Sequence, residues 1–164
     1  MLDRRPKVGY IQKTGDSDLE KKQKPSFSKF GKDFQETLCQ MILLDRPFAD
    51  QIMEVLDINF LELHYLRVFV RKVFEYREKY NVHPTYKIMI SIIRAEIGDE
   101  NAATQQQLRN YFARIHDSVV SGSEYVKKTA LDFCRKQKLK EAMIRSVKLL
   151  ERSSFDEISK VIND

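Results

Sequence analysis

The sequence predicts an all-α protein, and three observations lead to this fold class. Its 164 residues include only 5 Gly and 4 Pro, with 42% hydrophobic and 32% charged residues, a composition that favours helices. From about residue 33 onward, apolar residues recur at spacings of three, four and seven, the period of an amphipathic helix. Pairs of the types S-x-x-E and T-x-x-Q, which are typical of helix starts, precede several of these stretches. We expect a compact bundle of five to six helices followed by a protruding helical hairpin.

The chain is predicted to have three parts: a flexible basic tail over residues 1–30, a helical globular head over 33–120 and a helical hairpin over 123–164. Residues 1–32 contain nine Lys or Arg and four acids, whereas residues 33–164 contain 20 of each. The tail has Gly, Pro and Ser but no apolar period, so it cannot bury enough surface to offset the entropy of ordering.

The head is predicted to contain five helices in the following order. The first starts near Asp33 and ends where Pro47 disfavours helical geometry at the residue before it. A short second helix is expected over 48–56, and the third, the longest of the head, should end near Tyr80. The expected core side chains of these three helices are Phe34, Leu38, Met41, Ile42, Ile52, Val55, Leu66, Phe69, Val70, Val73 and Phe74.

The last two head helices have clear start and stop signals. Pro84 suits the first position of the fourth helix, because its missing N–H needs no partner there, and Gly98 is a typical residue after a helix end. Thr104 and Gln107 have the spacing of a capping box for the fifth helix. The expected core side chains are Met89, Ile92, Ile93, Ile97, Leu108, Tyr111, Phe112 and Ile115.

Signals for catalysis, metals and membranes are missing from the sequence. No phosphate loop or G-x-G-x-x-G motif occurs, and the three histidines, His64, His83 and His116, lie on separate elements, where we expect surface or packing roles. Cys39 and Cys134 fall among apolar neighbours, which predicts buried reduced thiols. No apolar run approaches the roughly 20 residues of a membrane span, and no secretory signal is present. We expect a cytoplasmic protein without enzymatic activity, cofactor or membrane contact.

A long basic helix is predicted to start at the Ser121–Glu124 pair and to end near Arg152. Residues 123–152 contain nine Lys or Arg and four acids. A second S-x-x-E pair, Ser154 and Glu157, predicts a helix that returns antiparallel to form the hairpin. An apolar stripe along this hairpin is the predicted subunit interface: Phe133, Met143, Val147, Leu150, Phe155, Ile158 and Ile162. A basic face could be simply solvated, or could contact DNA or an acidic partner: Lys127, Lys128, Arg135, Lys136, Lys138 and Lys140.

The order of these elements resembles the N-terminal domain of DnaB-type replicative DNA helicases, particularly phage members, over about residues 33–162. The similarity lies in Leu43-Leu44-Asp45 at a helix end, Phe60 after the second helix, the connection from Tyr80 to Thr85, Tyr125-Val126 at the start of the long helix and Phe155-Asp156 in the returning helix. The basic tail is an addition to the family pattern.

The resemblance implies a non-catalytic collar domain that acts in DNA replication in a bacterial or phage-infected cell. Hairpins of such domains pair between subunits, so that dimers assemble into a hexameric ring as a trimer of dimers, and primase or a helicase loader docks on the collar. ATP and Mg would bind only to a motor domain beyond this chain, which would then end inside the last hairpin helix of a longer helicase. The alternative is a self-contained basic helical protein that binds DNA or loads a helicase.

Overall fold

Six α-helices and two 3-10 helices form the part of the chain that the computed structural model describes, residues 24–117 and 120–163, and these residues include no β-strand. The prediction of an all-α fold is confirmed. The two 3-10 helices, Ser28–Phe30 and Ile58–Phe60, precede α1 and α3. The α-helices are α1 (Gly31–Leu44), α2 (Arg46–Ile52), α3 (His64–Tyr80), α4 (Tyr86–Glu96), α5 (Ala102–Asp117) and α6 (Ser123–Asn163).

Helix α1 is central to the head, because it packs against α2, α3 and α6. The predicted core side chains are buried, except Val55, Phe74 and Ile92, which are half-buried. Asp45 separates α1 from α2 and caps α2, since its Oδ1 accepts a hydrogen bond from the Phe48 N–H at 3.1 Å. Helix α2 ends at Ile52, four residues before the predicted end.

Helix α3 ends at Tyr80, as predicted. Asn81 adopts a left-handed conformation with φ of 57°, and its N–H donates to the carbonyl oxygen of Arg77, so that it closes the helix. Thr85 then caps α4, because its Oγ1 accepts from the Ile88 N–H at 3.1 Å. Pro84 therefore lies before the cap and not in the first turn.

The predicted capping box of α5 is wrong. Asn101 caps this helix, since its Oδ1 accepts from the Thr104 N–H at 2.8 Å, and Thr104 itself lies buried inside the first turn. Both residues are acceptable caps, and the structure selects the one that starts the helix a turn earlier.

The predicted boundary of the tail is also wrong. Phe27 is 0% exposed, and its N–H donates to the Phe60 carbonyl oxygen at 2.8 Å. Phe27, Phe30 and Phe34 have helical spacing in the sequence, but Gly31, with φ of 87°, separates the first 3-10 helix from α1. The three rings contact one another across this change of direction. The burial of these rings offsets the cost of ordering this segment. Residues 1–23 of the predicted tail lie outside the described residues.

The predicted helical hairpin is not formed. Helix α6 continues through the expected turn near Arg152 and runs as one element of 41 residues. It contains no Gly or Pro, and a serine inside a helix costs only about 0.5 kcal/mol relative to alanine, too little to break it. Ser146 illustrates how the helix accommodates a hydroxyl, because its Oγ donates to the Ala142 carbonyl oxygen at 2.8 Å. Ser154 is therefore an interior residue and not a cap.

None of the helices in the described part of the chain is both long and apolar enough to cross a membrane.

Candidate interaction surface

Helix α6 has two halves with different surroundings. The first half packs on the head and buries Val126, Ala130, Leu131 and Cys134. None of the described side chains from residue 138 onward is buried. At about 1.5 Å per residue, this second half, residues 138–163, is roughly 39 Å long. We call it the projecting arm.

An aromatic cluster holds the first half of α6 on the head. The Phe133 ring centroid lies 4.9 Å from that of Phe27 and 5.3 Å from that of Phe60, the latter nearly at a right angle. Edge-to-face pairs of this kind add stability beyond the area that they bury. Phe133, a predicted subunit-interface residue, therefore packs within its own chain.

An ion pair strengthens this attachment at the junction of α1 and α2. The Lys127 Nζ lies 2.8 Å from Asp45 Oδ2 and 2.8 Å from Glu124 Oε1, and the Lys127 side chain is only 18% exposed. The hydrogen bond from Lys127 lowers the pKa of Asp45, and the same bond raises the pKa of Lys127. We predicted that Lys127 contacts DNA or an acidic partner, but its amino group pairs with a carboxylate of the head of the same chain.

The projecting arm exposes a continuous apolar face. We define the arm stripe as its four members: Leu139 at 61% exposure, Met143 at 60%, Val147 at 53% and Leu150 at 67%. Offsets of four, eight and eleven place these side chains on one face of a helix. Three of them were predicted as interface residues. Leu139 was missed, although its position one turn before Met143 could have revealed it.

The other predicted interface residues of the arm lie on a different face. Phe155, which is 69% exposed, follows Leu150 by five residues, so it lies about 140° around the helix from that side chain. Ile162 is also exposed, and both residues share a face with Ile144. The side chain of Ile158 lies outside the described residues. The structure thus divides the predicted interface between two faces of α6.

The predicted basic face is also divided. Apart from Lys127, its members are exposed and take part in no ion pair within the described residues: Lys128, Arg135, Lys136, Lys138 and Lys140.

Lys140 borders the arm stripe, and Lys136 lies on the same side of α6 just before the arm, whereas Lys138 lies on the opposite side. Arg145 and Arg152 follow Lys138 at intervals of seven, and both are exposed. These three side chains form a basic face that the prediction identified only in part.

No protein-family model, curated protein or solved structure matches this chain. Its function must therefore be inferred from its own surfaces.

The two cysteines and the histidines His64 and His83 take structural positions, whereas the side chain of His116 lies outside the described residues. Cys39 and Cys134 are buried and unpaired, as predicted, and burial raises the pKa of Cys134 to about 12 and that of Cys39 well above its ordinary value. His64 Nε2 lies 2.9 Å from Glu100 Oε2 on the surface. Within the described residues, no group of three or more His, Cys, Asp or Glu side chains could hold a metal ion.

Proposed function

We propose that this chain is an assembly and docking domain, the non-catalytic collar of a hexameric replicative DNA helicase. In this proposal the collar joins the subunits and also binds primase or a helicase loader. The observation that carries this proposal is the arm stripe, which leaves four large apolar side chains in contact with water. Burying each such side chain fully contributes about 1.5–3 kcal/mol, so a surface that covers the stripe gains several kcal/mol.

A second copy of the chain is a suitable cover for the arm stripe. A stripe on a straight helix can pair with the same stripe of another copy about a two-fold axis, and such a contact closes after two subunits. Lys136 and Lys140 border the stripe, and their long apolar stems would extend the contact while the amino groups stay in water.

The helicase part of the proposal rests on the sequence resemblance. The element order supports it, because five head helices precede a long basic helix with Tyr125-Val126 near its start. In this proposal the paired arms replace the family's paired hairpins as the contact between subunits. ATP hydrolysis belongs to a separate motor domain, and the collar supplies assembly and a platform for the partner protein.

Replacing Met143 and Leu150 by Asp tests the assembly surface. The double variant M143D/L150D should be monomeric by light scattering at about 10 µM, where the wild type forms dimers or larger assemblies, because two buried carboxylates would lack partners. Circular dichroism should show an intact helical head. The matched control, R145D/R152D, introduces the same side chains on the opposite face and should keep the wild-type mass. A monomeric wild type, or an unchanged mass of M143D/L150D, would contradict the proposal.

The alternative, a self-contained DNA-binding or helicase-loader protein, is favoured by one observation, the exposed basic face of Lys138, Arg145 and Arg152. If this face binds phosphates, DNA affinity should fall steeply with salt. The variant K138E/R145E should then weaken binding for all sequences and reduce the slope of log K against log salt by about 2. DNA binding that K138E/R145E leaves unchanged, measured by fluorescence anisotropy, would exclude this face as the DNA site.

A further inference from the structure

A groove between α4 and α5 has the features of a docking site. It has a volume of about 310 Å³, and Tyr86, Ile90 and Ile93 of α4 line it together with Phe112 and Ala113 of α5. The Tyr86 hydroxyl donates to the Phe112 carbonyl oxygen at 2.8 Å and so joins the two helices that line the groove. Since Ile93 and Phe112 belong to the buried core, the floor is preformed. The groove can hold one large apolar side chain.

Two positive charges border this groove without compensation. Arg94 and Arg109 line it, and no acidic side chain of the described residues does. Arg109 Nη2 donates to the neutral Gln105 Oε1 at 3.2 Å, and within the described residues neither arginine takes part in an ion pair. The groove beside α2 differs, because Asp45, Glu124 and Asp132 line it together with its basic side chains.

The chemistry of the groove defines what it would bind. A helical segment that inserts an apolar side chain between two helices is a common mode of recognition, and the guanidinium groups select carboxylates beside that side chain. The occupant is therefore an aromatic or aliphatic residue with acidic neighbours within one helical turn.

The distal part of α6 carries such a segment. Phe155 is 69% exposed, and the exposed carboxylates of Glu151 and Asp156 lie within four residues of it. The exposed Arg152, three residues before Phe155, offsets only one of these two negative charges. Because Phe155 lies about 140° from Leu150, pairing of the arm stripes leaves it free.

We propose that the groove between α4 and α5 binds the Phe155 segment of a second copy of this chain. This contact deepens the proposed assembly function and rests on it, but it uses different residues from the arm stripe. It joins two different surfaces, so it propagates from one copy to the next. Combined with the two-fold pairing of the arms, it would link dimers into a larger ring or filament.

The experiment uses full-length M143D/L150D, in which arm pairing is removed. At about 300 µM and low salt, this variant should still associate weakly by sedimentation equilibrium, because a contact built on one apolar side chain is expected to have a Kd of roughly 0.1–1 mM. Adding R94E/R109E should weaken that association at least about tenfold, since like charges then face each other.

Reversing the charges beside Phe155 should weaken association as much as reversing those of the groove, and a mixture of the two reversed chains should restore it. Adding E151K/D156K to M143D/L150D places lysines against the arginines of the groove and should also weaken association at least about tenfold. An equimolar mixture of the groove-reversed and the segment-reversed chains should regain association, because each altered surface then meets an opposite charge. Restoration in the mixture would be direct support for the contact.

A matched control and a second variant separate this contact from general charge effects. R71E/K79E makes the same charge change on exposed positions of α3, away from the groove, and should retain association. F155S, with helicity checked by circular dichroism, should abolish it. A strictly monomeric M143D/L150D, or a mixture without restoration, would overturn the contact between copies. The two contacts can also fail separately. If M143D/L150D keeps the wild-type mass while the mixture of reversed chains regains association, pairing through the arm stripe is refuted and the groove contact is supported.

Discussion

At the residue scale, a few polar side chains join helices that are distant in the sequence. Gln35 is 0% exposed, and its Oε1 accepts from the Glu62 N–H at 2.8 Å while its Nε2 donates to the Gly31 carbonyl oxygen. Glu36 accepts a hydrogen bond from the Tyr65 hydroxyl at 2.5 Å and pairs with Arg114. Helical periodicity cannot predict these contacts, because each requires the partner's position in three dimensions.

His83 lies in a network that holds its ring neutral. Its Nε2–H donates to the Leu43 carbonyl oxygen, and its Nδ1 accepts from the Arg77 guanidinium, each at 2.6 Å. Arg77 also pairs with Asp50. Burial lowers the pKa of His83 below its ordinary value of 6.5, and the Arg77 charge lowers it further.

We predict that the free energy of unfolding decreases as the pH falls from 7.5 to 5. Since the pKa of His83 is lower in the folded state, the contribution is complete above pH 6.5 and declines below it, where the unfolded chain binds the proton first. Urea unfolding at several pH values should show a smaller decrease for H83Q than for the wild type. Equal decreases in the two proteins would show that His83 has no share in the effect.

Phe27 should be essential for the stability of the head. Its ring is fully buried among Phe30, Phe34, Phe60 and Phe133, so F27A should lower the free energy of unfolding by about 3–5 kcal/mol. Denaturant titration provides the measurement. Y80A, which truncates a ring that is 54% exposed, is the control and should cost about 1 kcal/mol or less. A small effect of F27A would mean that residues 24–30 are not part of the core.

At the element scale, the continuity of α6 is the main difference from the sequence prediction. The S-x-x-E pattern at Ser154 occurs at helix starts, but it is equally acceptable inside a helix. A turn would need residues that leave helical geometry readily, and α6 offers no Gly or Pro. Gly122, with φ of +76°, lies directly before α6, where the chain does change direction.

Spin labels on α6 should distinguish one helix from a hairpin. Lys136 and Lys160 are exposed and separated by 24 residues, so a continuous helix places their backbones about 36 Å apart along the axis. A hairpin that turns near Arg152 would bring them much closer together. Pulsed electron resonance on K136C/K160C in the C39S/C134S background, in the monomeric M143D/L150D variant, should give the long distance. A dominant distance below about 20 Å would restore the hairpin.

At the scale of the whole molecule, the head has a buried core, whereas the projecting arm of α6 buries none of its described side chains. The first half of α6 contributes Val126, Ala130 and Cys134 to the head, whereas the arm stripe remains exposed. Most helical stability in proteins comes from packing of an amphipathic face, so a partner that covers the arm should also stabilise it. This relation between the two halves of α6 is the physical basis of the proposed assembly role.

The sequence by itself determined the helical class, the central helices and most core side chains, because the helical period is a local property of the chain. The position of Phe133 inside its own head, the burial of Phe27 and the separation of Phe155 from the arm stripe were decided only by the tertiary structure. The reason is that a local pattern specifies which face of a helix is apolar, whereas the partner of that face depends on where the rest of the chain is placed.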